Sequence, residues 1–89
     1  MRAVITVLGT DRVGIIAGIS ATLAKANVNI LDITQTIMQN IFTMIMVVDT
    51  GAAQISFEEL ERNLRANGEA LGLEVRLQRE DIFNSMHRL

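Results

Sequence analysis

The chain has 89 residues, 49% of them hydrophobic, with no Cys, Pro, Trp or Tyr and a formal net charge of −2. That suffices for one core rather than two; the missing Cys excludes disulfides and thiolate metal sites, and a single His, His87, excludes a histidine cluster. Eight basic against ten acidic residues leave no strongly basic surface for nucleic acid.

A chain this small usually draws extra stability from a disulfide, a metal or an oligomer, so composition alone points to an oligomer. No apolar run approaches the ~20 residues of a membrane span. Met1–Leu8 is too short for a signal peptide, and a cytoplasmic protein with no membrane association is expected.

Met1–Leu8, with Val4, Ile5 and Val7, predicts a strand. Gly9–Arg12 reads as a turn and Val13–Ala26 as a helix, with Asp11 as its N-cap. Val13, Ile16, Ser20 and Leu23 fall on one helical stripe, but Ile15 and Ile19 lie outside it, so the helix is expected to be covered on more than one side. Asn27–Asn29 turns the chain. Ile30–Met38 predicts a second strand in which Leu31, Ile33 and Ile37 alternate with Asp32, Thr34 and Thr36, leaving one wet face. Gln39-Asn40 is a hairpin connection. Ile41–Val48, apolar at seven of eight positions, predicts a third strand buried on both faces.

Asp49–Ile55 is a loop. Ser56-Phe57-Glu58-Glu59 has the form of a capping box and opens a helix to about Leu71, with Phe57, Leu60, Leu64 and Leu71 on its dry stripe and Glu58–Arg62 and Glu61–Arg65 as pairs on the wet side. Gly72 suits the position just past the helix end. Leu73–Arg79 alternates as a half-exposed edge strand, and the 79–89 tail carries a short helix with Ile82, Phe83, Met86 and Leu89 on one side. Residues 1–89 thus form a single α+β domain, a ferredoxin-like βαββαβ sandwich. Its expected antiparallel sheet has order 4-1-3-2, with two helices on one face and a C-terminal helix added.

That fold hosts unrelated functions, so the side chains must decide. An RNA-recognition sheet needs aromatic platforms, and Phe42 is the only aromatic on a predicted strand. No nucleophile–base pair is visible, no catalytic residue is assigned, and no cofactor or metal is implied. Arg12 in the first loop leaves open an acylphosphatase-like hydrolase, although Asp11 beside it repels phosphate and the loop is short. Met38, Met44, Met46 and Met86 read as core or interface filler.

Val4 to Ile16, through Gly9-Thr10-Asp11-Arg12-Val13-Gly14, followed by Ala26-Asn27-Val28-Asn29-Ile30-Leu31-Asp32-Ile33, resembles the start of an ACT domain. The segment 32–38 and the tail 78–88 resemble stand-alone ACT proteins, similar to the repeats of the glycine cleavage system transcriptional repressor. The resemblance covers the whole chain. It implies a regulatory module that binds an amino acid between the first strand–helix loop of one subunit and the second strand of its partner. Carried over, the site is Gly9, Thr10, Asp11, Arg12, Val13, Gly14 and Ile15 from one copy and Asn29, Ile30 and Leu31 from the other. A homodimer pairing its second strands, or stacking its sheets through Met44 and Met46 or their neighbours, would provide it. The alternative is a ligand-free module regulating a partner enzyme or transcription factor through Ile82, Phe83 and Met86.

Overall fold

The computed structural model describes residues 1–86. Its elements are β1 (Arg2–Thr10), α1 (Ile15–Lys25), β2 (Asn29–Met38), β3 (Ile41–Asp49), α2 (Phe57–Ala70), β4 (Leu73–Arg79) and α3 (Glu80–Met86). The expected placing of Leu89 and His87 on the tail helix lies outside the described residues, as does the side chain of Met86.

The four strands form one antiparallel sheet in the order β2-β3-β1-β4, the expected order read from the other edge. Ala3, Ile5 and Val7 of β1, Phe42, Met44, Met46 and Val48 of β3, and Leu73, Val75 and Leu77 of β4 point to one face. There they meet Ile15, Ile19 and Leu23 of α1 and Leu60 and Leu64 of α2. Ser56 Oγ accepts a hydrogen bond from the Glu59 N–H at 3.1 Å, and Glu61 pairs with Arg65. Among the described residues the return bond from Glu59 and the Glu58–Arg62 pair are absent. Gln39 and Asn40 take positive φ, as a two-residue hairpin requires, and Gly72 takes φ 72° past the end of α2.

Four expectations are corrected. β1 runs on through Gly9 and Thr10, which pair with Phe42 and Ile41, so these residues are strand and not turn. Asp11 does not cap α1: its N–H donates to the Asn40 carbonyl at 2.7 Å, prolonging the ladder, and the N-cap position falls three residues later, at Gly14, with no side-chain cap. The buried stripe of α1 is therefore Ile15–Ile19–Leu23, while Val13 is 97% and Ile16 40% exposed. Among the described residues β3 is buried on one face only, because α3 covers the other side of the sheet over β1 and β4. Ile41 and Ile45 stay exposed, whereas Met44 and Met46 lie fully buried under the helices and cannot join stacked sheets.

β2 departs more subtly. Its alternation holds, but a bulge at Leu31 interrupts the register between Ile30 and Asp32, and its apolar face is exposed too. Ile33 and Ile37 are 39% and 53% exposed.

Candidate functional site

The loop from β1 to α1 is held at two points: the Asp11–Asn40 backbone bond ties it to the β2–β3 hairpin, and Arg12 Nη1 donates to the Leu71 carbonyl at 3.2 Å. Gly9 closes the base of the loop against β4, where a Cβ would lie 2.5 Å from Leu73 Cδ2 and 3.2 Å from the Gly72 carbonyl oxygen. Gly14 has φ 96° and ψ −1°, and a Cβ there would meet nothing within 4 Å. The chain thus turns into α1 on a left-handed glycine that faces open space.

The first intrahelical bond runs from the Gly18 N–H to the Gly14 carbonyl at 2.9 Å. The N–H groups of Ile15, Ile16 and Ala17 precede it, uncapped by any side chain. They form a donor cluster at the positive end of the helix, the arrangement that receives carboxylates and other anions. The Ile15 side chain is in the core at 2% exposure, so this residue offers only its backbone to a ligand.

The second group of candidate residues is elsewhere. Asn29 pairs with Asp49, which pairs with Arg2, at the opposite end of the sheet from Thr10, Ile41 and Met38. The eight steps of ~3.4 Å from one end of β3 to the other put roughly 27 Å between them. Asn29 is exposed, Ile30 packs partly on the core, and Leu31 projects from the bulge at 47% exposure. One copy of the chain does not bring the two groups together.

The sequence pattern also missed a surface. Gly18 packs against Asn67 of α2, and Ile15, Ile19 and Leu23 face the sheet. Helical periodicity then places Ile16, Ser20 and Ala24 on the flank of α1 away from α2, above β2, with the exposed Val13 in the turn just before the helix. With Leu31, Ile33 and Ile37 of β2 this makes an exposed apolar border along one side of the molecule. The expected helical stripe of Val13, Ile16 and Ser20, outside Ile15 and Ile19, was its signal. Asp49 beside Asn29 was missed as well: its carboxylate accepts the Gly51 N–H at 2.8 Å, and this bond, with the N-terminal ammonium 3.6 Å away, holds its carboxyl below the usual range.

This fold and sequence define a class. The ACT domain profile matches residues 2–78, and the chain belongs to the ACT domain family, whose modules are generally regulatory and ligand-binding rather than catalytic. A UPF0237 protein of Clostridium acetobutylicum is 52% identical over 89 residues, spanning all of both chains. An ACT domain protein from Streptococcus pneumoniae superposes with a TM-score of 0.80 at 38% identity, covering 98% of each chain. A structure described as a glycine cleavage system transcriptional repressor matches 86% of this chain and 44% of its own, with a TM-score of 0.76 at 26% identity. Among the described residues no helix is long and apolar enough to cross a membrane.

Proposed function

We propose that the chain is a non-catalytic, cytoplasmic regulatory module that forms a homodimer along β2 and binds an amino acid at the subunit boundary. The observation that carries this reading is the ~27 Å separation of the two candidate groups along an uncovered, apolar edge. Antiparallel pairing of β2 with its copy across a two-fold axis reverses the ends, so Asn29–Leu31 of one copy approaches the Gly9–Ile15 loop of the other. The same pairing covers the exposed border of β2 and α1.

The chemistry is that of a zwitterion. The uncapped N–H groups of α1 take the carboxylate, Gly14 allows close approach, and Asp11 or Asn29 takes the ammonium. Thermal unfolding with a panel of amino acids tests it. A ligand at ~100-fold excess over its Kd adds about 2.7 kcal/mol, equivalent to more than 10 °C for a chain of this size. If no amino acid raises the melting temperature, the effector reading fails. The second reading, a ligand-free interaction module, is favoured by Ile82 of α3, which is 47% exposed; it predicts capture of a protein partner that Ile82→Glu abolishes.

A further inference from the structure

The two candidate groups sort by the face of the sheet they occupy. Gly9 packs on Leu73, which faces the helices, so alternation along β1 turns its neighbour Thr10 to the opposite face. Asn29 pairs with Asp49 while the adjacent Ile30–Val48 pair is on the core side, so Asn29 also turns away from the helices. Ile33 and Ile37 pair with the buried Met46 and Phe42 and lie on the helix side, as does Ile16 of α1. Next to the turn into α1, that side therefore presents Val13, Ile37 and Ile16, which are 97, 53 and 40% exposed. Arg12 is tied to the Leu71 carbonyl, and Asp11, exposed, is the ionisable group that remains there.

We propose that the effector is an aliphatic amino acid, its side chain seated on Val13, Ile16 and Ile37 of one copy and closed over by Ile30 of the other. This rests on the paired-copy site proposed above, and it narrows the ammonium partner to Asp11. Antiparallel pairing of β2 about its midpoint sets Ile30 of one copy opposite Ile37 of the other, and directly opposed residues point to the same face. Ile30 is only partly buried within its own copy, so it has surface to give.

Polarity decides the class. A serine, threonine or asparagine effector would bring a hydroxyl or amide that must find a partner when buried. Thr10 and Asn29 are on the wrong face to supply one. The next polar side chains on the helix side are Ser20, four residues along α1 from Ile16, and Gln35, two along β2 from Ile37. Both are about 6 Å further toward the middle of the molecule. A seat of that length takes a side chain of about three or four carbons, and each methylene buried on it tightens binding about four-fold.

Calorimetry on the full chain with alanine, valine, threonine and serine tests the assignment. Valine and threonine have the same shape, and a seat with no partner for the hydroxyl favours valine by up to ~100-fold. Valine should also bind more than about ten-fold more tightly than alanine, whose side chain is two carbons smaller. Val13→Ser, at a position 97% exposed, should leave the melting temperature in place and cut the valine-to-threonine ratio by about four-fold or more. Threonine or serine binding as tightly as valine overturns the aliphatic seat and leaves an amino-acid site standing. A ratio unchanged in both Val13→Ser and Ile16→Ser overturns the seat as well. Binding of no amino acid at all defeats the shared site on which the seat depends.

Discussion

Replacing Gly14 by alanine tests whether the loop is shaped by backbone conformation or by packing. At φ 96° an L-residue is strained, and with nothing within 4 Å of its Cβ the strain is the whole cost. Left-handed backbone costs an alanine about 1–2 kcal/mol, and the narrower unfolded ensemble of alanine returns about 0.4–1 kcal/mol. The net loss is about 0.5–1.5 kcal/mol, a fall in Tm of roughly 5 °C at this chain length. Urea unfolding at fixed protomer concentration, with an unchanged m-value, reads it directly. Gly14→Asn should recover more than half of the loss, because asparagine tolerates this region. Gly9→Ala provides the contrast: its Cβ would press on Leu73 and on the Gly72 carbonyl, an overpacking cost of about 1–3 kcal/mol that asparagine would worsen. If Gly14→Ala loses nothing, or if asparagine is no better than alanine there, the conformational account is refuted.

The register of α1 predicts that Ile19→Ala, at a fully buried position, costs about 2–5 kcal/mol, whereas Ile16→Ala, 40% exposed, costs under about 1 kcal/mol in the same urea assay unless the chain is associated. Arg12→Ala removes the bond to the Leu71 carbonyl; stability should fall by no more than about 1 kcal/mol, while amino-acid affinity, followed by calorimetry, weakens as the loop loses an anchor. The lowered carboxyl of Asp49 stabilises the fold above its unfolded value of ~3.9, and that contribution disappears as pH falls through its lower folded value. Urea midpoints between pH 2 and 6 should therefore show a shallower acid slope in Asp49→Asn than in the wild type.

Strand order was legible because alternation fixed each strand's face and chain order limited the crossovers. Leu73, Val75 and Leu77 alternate with Glu74, Arg76 and Gln78 in both sequence and structure. The register of α1 was not legible, because apolar residues occupy most of its circumference: Val13–Ile16 and Ile15–Ile19 are equally good stripes, and Gly14's backbone decides between them. β3 misled for a related reason. Seven apolar residues of eight say that both faces avoid water, but not which is covered within one chain, and among the described residues α3 reaches only half of the sheet. The loop half of the candidate site was visible in sequence, although the Ile15 side chain turned inward. The relation of that half to Asn29–Leu31 involves a second copy, which no pattern within one chain encodes.

The two sheet edges are treated differently, and this bears on ligand response. On β4, Glu74 and Arg76 pair at 3.1 Å on the outer face, α2 overhangs the inner face, and α3 follows at once. β2 is ten residues long, and its one charged residue, Asp32, spends its carboxylate on the Ile33 N–H at 2.9 Å. An edge without lysine, proline or cover invites a partner strand. If the amino acid touches both copies, linkage makes the effect reciprocal: ligand tightens the dimer by the same factor by which dimerisation tightens ligand binding. A coupling of 1–3 kcal/mol corresponds to about 5–150-fold, so saturating ligand should lower the dimer dissociation constant within that range. Sedimentation with and without the amino acid measures one side of the cycle, and calorimetry across protomer concentrations measures the other. Ligand affinity that stays constant on dilution well below the dimer dissociation constant would mean that a single copy carries the whole site, and the shared-site geometry would be wrong.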